Sequence, residues 1–227
     1  YVLREVEELA NGFIQVAPNY GEESTEKTDV WITYDQSNIY VSARVWDSAP
    51  PERWISNELR RDTNQLRNND HIGVMFDTFY DRRSGFMFYT NPLGALADYS
   101  VIDEGGSNTD WNPVWESRTR TFDGGWTVEM AIPFKTLRYR SGSNQMWGLQ
   151  MRRSIRHKKE WSYLNPLPQN LAGPQASNRA WLGGNSHAIC PTLEYLFQTG
   201  VELRTSLTRC SNSSEEKGFF RRTGTSG

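Results

Sequence analysis

Two kinds of hydrophobic pattern divide residues 13–163 into strand-length pieces. In residues 39–46, Ile39, Val41, Ala43 and Val45 fall on one face, and Tyr40, Ser42, Arg44 and Trp46 on the other. That alternation is the period of a strand with one buried face. Residues 29–34 precede it across the turn Asp35-Gln36-Ser37-Asn38, so the two segments read as a hairpin. A second hairpin pairs residues 114–121 with 125–132 around Asp123-Gly124-Gly125, and Trp126, Val128, Met130 and Ile132 share one face of its second arm.

The stretch 69–104 is patterned differently. Residues 70–77 form a nearly continuous apolar run with an acid at each end. Residues 80–85 turn, 86–91 return, Asn91-Pro92 and Gly94 break the strand, and 95–103 go out again. Residues 13–16, 54–59, 147–155 and 160–163 add shorter strands, and Pro133 ends one at a short helical turn, 133–137. Roughly nine or ten strands at short spacing, with no long amphipathic helix, predict an all-β fold, an antiparallel β-sandwich. From about residue 165 Gly, Asn, Ser, Pro and Gln dominate and alternation fades. The expected organisation is a sandwich over 1–168 and a largely irregular C-terminal tail over 169–227.

Composition narrows the partners. Net charge is −2 over 227 residues, which argues against a general polyanion binder and so against nucleic acid. Aromatics make up 13%, with nine Trp, enough either to fill a β core or to line a ligand groove. No apolar run approaches the roughly 20 residues of a membrane helix. Cys190 and Cys210 can pair in an oxidising compartment or stay as thiols, and two cysteines do not define a framework.

Several clusters invite a chemical reading. Tyr89, Trp111, Trp115 and Trp147 offer flat rings, with Arg67, Asn91 and Arg152 as polar partners, the mixture a ligand groove uses. The competing account packs those Trp rings into the core. Asp103, Glu104, Asn108 and Asp110 place four oxygen-bearing side chains on one Gly-containing loop. A structural calcium wants such oxygens, though the spacing is not that of an EF-hand and a solvated turn also explains it. Asp70 and Asp77 sit seven apart on one strand, ~23 Å by strand rise. Paired glycosidase carboxylates stand about 5–9.5 Å apart, so this pair is no hydrolase site. Asp77, Asp81, Arg82 and Arg83 read as a turn with local ion pairs. Arg152, Arg153, Arg156, Lys158 and Lys159 read as a solvated strand end, with contact to anionic lipid headgroups or an acidic glycan as the alternative. His71, His157 and His187 lack metal spacing, and His71 reads as structural. No nucleophile elbow, phosphate loop or zinc motif appears, so no catalytic residue is assigned.

Five segments in order carry a resemblance: TDVWITYDQSNIYVSARVWDSAP, RRDTNQLRNNDHIGVMFDTFYDRRSGFMFYTNPLGALAD, WNPVWESRTR, GGWTVEMAIPFKTLRY and WGLQMRRSIRHKKEWSYLNP. Together they span roughly residues 13–168. They resemble the family 9 carbohydrate-binding-module-like domain found at the N-terminus of large bacterial outer-membrane proteins of unassigned function. That family usually opens with a strand carrying an Asp-Gly…Asp-Glu…Trp signature. The signature is absent here, so the expectation is that the first strand is missing.

The resemblance implies a sandwich of carbohydrate-binding ancestry, a glycan or saccharide partner and a structural calcium. It also implies a periplasmic or outer-membrane location and an outer-membrane barrel in the full-length parent. Characterised members clamp a sugar between two Trp rings, with charged and amide side chains on its hydroxyls. Here the first Trp position falls near Arg67, the acid at Gly73, the Arg near Tyr89 and the amide near Arg152; Trp181 is an unaligned candidate for the second ring. The family's ligand set is therefore not carried over, and a groove position with different chemistry remains. Three readings follow: a non-catalytic carbohydrate-binding-like module, a structural or interaction sandwich that has lost the sugar site, and, third, a glycoside hydrolase. The expected ligand residues are Arg67, Tyr89, Asn91, Trp111 and Arg152, and the expected metal residues Asp103, Glu104 and Asp110.

Overall fold

The structure, a computed structural model, describes residues 12–102, 107–141, 144–165, 167, 192–196 and 204–206. In chain order the strands are β1 Ile14–Ala17, β2 Thr28–Tyr34, β3 Asn38–Trp46, β4 His71–Asp77, β5 Gly85–Thr90, β6 Leu96–Val101 and β7 Ser107–Asn108, then β8 Glu116–Phe122, β9 Gly125–Pro133, β10 Asn144–Ile155, β11 Glu160–Tyr163, β12 Thr192–Leu196 and β13 Arg204–Ser206. The described residues contain no α-helix, only short 3-10 turns, one of them at Phe134–Thr136 where a helical turn is expected.

Among the described residues every strand pairing is antiparallel. The large sheet runs β1-β11-β10-β4-β5-β6-β7, with β12 on β10 and β13 on β12; the small sheet runs β2-β3-β9-β8. β10 is long enough to hold β12 against its first half and β11 against its second. The two sheets face each other across Val30, Ile32, Val41, Val45, Val128, Met130 and Ile132 from the small sheet and Ile72, Val74, Phe76, Phe88, Leu149 and Met151 from the large one. This is the expected sandwich.

Period-two patterning survives in β9, which alternates between buried and more exposed positions, whereas all seven positions of β4 are buried. A second apolar cluster explains the difference. Val16, Leu66, Met75, Met87, Tyr89, Tyr99, Val101, Trp161, Tyr163 and Leu167 cover the outer face of the large sheet. β4 and β5 are therefore buried on both faces, and strands buried on both faces read as unbroken apolar runs.

The strand end read as solvated is not: Arg152 and Arg153 are buried, and Arg153 pins the sheets together at one end. Its guanidinium is buried and donates to the carbonyls of Glu26 and Lys27 at 3.0 and 2.8 Å, to Thr28 Oγ1 at 2.8 Å and to the Trp46 carbonyl. Burial pulls its pKa down to about 10, against nearby carboxylates that hold it up, so it stays charged at neutral pH.

One expected strand is not formed. Residues 54–59 find their backbone partners mostly on side chains. Asp70 Oδ2 accepts from the Ile55 amide at 2.6 Å, and Asn69 Oδ1 accepts from the amides of Asn57 and Glu58 at 2.8 and 3.0 Å. With the donors taken this way, no neighbouring strand is required. The turn after β4 is likewise built on carboxylates: Asp77 accepts from the Asp81 and Arg82 amides, and Asp81 from those of Arg83 and Ser84. Within the segment read as irregular, β12 and β13 are paired strands, and the rest of 169–227, with Cys190, Cys210 and Trp181, lies outside the described residues.

Candidate functional site

Strand register brings distant residues into one row on the outer face of the large sheet. Arg152 on β10 lies opposite Gly73 on β4, Gly73 opposite Tyr89 on β5, and Tyr89 opposite Ala97 on β6. These are the positions at which the resemblance places a sugar site. Gly73 is required by close approach: a Cβ there would lie 2.3 Å from Tyr89 Cδ1, so the ring rests on bare backbone.

Around this row the side chains pack on and hydrogen-bond to one another. The Arg152 guanidinium carbon stands 4.8 Å from the Tyr89 ring centre and 4.7 Å from that of Trp161, within cation–π range of both. Arg152 Nη2 donates to His71 Nε2 at 3.0 Å, and His71 Nδ1 lies 2.8 Å from the Asn69 carbonyl. That pair of contacts fits the neutral imidazole with its proton on Nδ1. Burial first, then the Arg152 charge, hold the His71 pKa well below its usual range, which agrees. The Tyr89 and Tyr99 hydroxyls lie 3.0 Å apart, and Arg67 covers the Tyr99 ring at 5.4 Å.

The cluster is filled. Tyr89 is 2% exposed, Arg152 3% and Trp161 6%, while Arg67 is exposed at the rim. The cavity beside it, lined by Arg67, His71, Tyr89 and Tyr99 among others, has a volume of about 30 Å³. That is about the space of one water molecule. Ligand pockets run to about 300–1,000 Å³.

The expected ligand residues thus divide. Arg67, Tyr89 and Arg152 are brought together. Asn91 is not among them: it is buried in the loop after β5, where Nδ2 donates to the Glu58 carbonyl at 2.8 Å and Oδ1 accepts from the Leu93 and Ala95 amides at 3.1 and 2.9 Å. Trp111 lies on the other side of the sheet, with its ring centre 4.9 Å from that of Phe86 and 5.6 Å from that of Phe88. Trp115 and Trp147 belong to the inter-sheet core, as the competing account of those rings has it. His71, Tyr99, Trp161 and Tyr163 join the cluster without having been singled out as ligand residues. Their only signal is cross-strand register, which one sequence does not reveal.

Of the metal residues, Asp103 and Glu104 lie outside the described residues. Asp110 is exposed, and Asn108 Oδ1 already accepts from the Asp110 backbone amide at 3.0 Å. Among the described residues no three His, Cys, Asp or Glu side chains gather as a metal site would need. The Asp70 and Asp77 carboxylates accept from backbone amides: Asp70 Oδ1 from that of Arg156 at 2.6 Å, Asp77 Oδ2 from that of Arg82 at 2.7 Å. Burial raises the pKa of both.

An open concavity of about 490 Å³ lies over the other sheet, with Tyr34, Asp35, Asn38, Tyr40, Arg118 and Glu129 in its lining. Tyr40 and Ser42, on the outward face of β3, lie opposite Ala131 and Glu129.

Two facing antiparallel sheets around one shared core define a β-sandwich domain. A family model for carbohydrate family 9 binding domain-like proteins matches residues 14–159, and the chain belongs to that family. Domains of this family are non-catalytic carbohydrate-binding modules. No curated protein matches the sequence. Among solved structures, a protein described as carbohydrate-binding from Bacteroides uniformis ATCC 8492 is similar at TM-score 0.57 and 10% identity, over 71% of this chain and 78% of that one. A family 9 carbohydrate-binding module from Caldicellulosiruptor kristjanssonii in complex with cellotriose is similar at TM-score 0.50 and 15% identity, over 80% and 85%. The same organism's module in complex with glucose gives TM-score 0.50 and 13% identity, over 84% and 97%. At these identities the likeness is one of fold.

Proposed function

We propose that this chain is a saccharide-binding module of the bacterial cell envelope, periplasmic or on the outer membrane, appended to a larger outer-membrane or polysaccharide-processing protein. The observation that supports binding is the family match over residues 14–159. The similar modules hold cellotriose and glucose, which makes gluco-oligosaccharides the first ligands to try. The envelope location rests on the five ordered motifs and their likeness to the N-terminal domains of outer-membrane proteins.

The filled cluster around Arg152 supports a second reading, a structural or interaction sandwich that keeps the fold without the sugar. Titration calorimetry of the full chain with cellotriose and glucose, followed by a glycan array, separates the two. A binding heat with at least one saccharide is expected. A chain folded by circular dichroism that gives none across the panel leaves only the scaffold.

A further inference from the structure

We propose that the outer face of the small sheet, around Tyr40, Glu129 and Arg118, is the saccharide subsite of this chain, and that it takes a neutral oligosaccharide. The proposal rests on the saccharide-binding reading above and gives it a location. The first ground is space. At about 490 Å³ the concavity falls within the range of ligand pockets, whereas the cavity on the large sheet holds about 30 Å³.

Register explains the shape. Thr33 lies opposite Tyr40, Tyr40 opposite Ala131, and Ala131 opposite Glu116, so one row crosses all four strands. Ala131 is its smallest member and sits between a ring and a carboxylate, leaving a trough. The adjacent row on the same face is Ser42, Glu129 and Arg118, which sets a hydroxyl, an acceptor and a donor side by side.

The ring is placed before any ligand arrives. The Tyr40 hydroxyl donates to Asp35 Oδ2 at 2.7 Å and accepts from Asn38 Nδ2 at 3.2 Å. Asp35 is itself held, its Oδ1 accepting from the Ser37 and Asn38 amides at 2.7 Å each. A ring fixed at its polar end loses little freedom on binding, which favours affinity.

Charge selects the ligand class. Among the described residues, the lining carries the carboxylates of Asp35, Glu116 and Glu129 and the guanidinium of Arg118. Carboxylates accept from sugar hydroxyls, and an acid excess repels uronates and sulfated sugars. A neutral sugar with an apolar C–H face toward Tyr40 matches both features.

The test is hydrogen exchange of the full chain with and without cellotriose, paired with calorimetry of Glu129→Gln and Tyr40→Ala. The expected result is ligand protection on β3 and β9, affinity about ten-fold weaker in Glu129→Gln, and none measurable in Tyr40→Ala. Glu129 is exposed, so Glu129→Gln keeps the fold even if Tyr40→Ala loses it. Protection confined to β4, β5 and β6 overturns the location but leaves the saccharide-binding reading standing. Preference for a polygalacturonate fragment over cellotriose overturns the ligand class. No saccharide binding at all overturns this proposal and the binding reading together.

Discussion

The two sheets of this molecule carry arginines on their outer faces, and they treat them in opposite ways. On the large sheet Arg152 is 3% exposed and lies over two aromatic rings, with its Nη2 on a neutral histidine. On the small sheet Arg118 and Arg120 stand exposed in water on the edge strand β8. One sheet has two covered faces and the other has one. Polar residues on a covered face need partners within the protein, because an unpaired buried charge is costly. Polar residues on an open face keep water and remain available to a ligand. Ligand chemistry is therefore easier to place on the open sheet, even though the family position lies on the covered one.

The strongest way to break this comparison is Arg152→Ala. It removes two cation–π contacts and the donor to His71 Nε2, and it opens a cavity beneath Trp161. A loss of ~3–4 kcal/mol is expected, measured by urea unfolding monitored by circular dichroism. A loss below about 1 kcal/mol would mean the cluster is not the buried network described.

The next effect is titration. Asp98 is buried on β6, and its Oδ2 accepts from Trp115 Nε1 at 2.8 Å and Arg61 Nη2 at 2.7 Å. Burial, with the nearby Asp62 charge, outweighs these partners and raises its pKa from the ordinary 3.8 to about 6. A raised carboxylate pKa means the folded state holds the proton to higher pH. The stability this gives is present below about pH 4 and lost as pH rises through 6, by ~3 kcal/mol. Asp98→Asn cannot titrate and should flatten that part of the pH–stability profile. An unchanged profile would show that Asp98 is ionised across the range.

Much of the fold is legible in the sequence, and the reason is visible in β3, β4 and β9. β3 and β9 alternate because one face meets the core and the other meets water. β4 reads as a solid apolar run because both faces are covered. Residues 54–59 mislead because their apolar and extended character is real, yet their amides go to Asn69 and Asp70 rather than to a strand. The site was only partly legible. Tyr89, Arg67 and Arg152 could be placed together through a resemblance. Trp111 carried the same chemical promise but falls on the opposite side of β5, packed on Phe86 and Phe88. Trp111 lies between β7 and β8, outside any strand, so no alternation assigns it a side, and aromatic content alone does not report one. The concavity over the small sheet depends on Ala131 lying between Tyr40 and Glu116, a juxtaposition of three strands that no local pattern encodes.

The smallest effect expected is the most discriminating about the open face. Arg120 lies opposite Thr127 on β9 and points to the same solvated side as Glu129. It lies outside the concavity lining. Arg120→Ala should change stability by no more than about 0.5 kcal/mol, the usual range for exposed positions, and leave saccharide affinity as it was. A loss of several kcal/mol in the same urea titration would show that the small sheet's outer face is covered in solution. That would remove the contrast with Arg152, and the subsite built on an open face would fall with it.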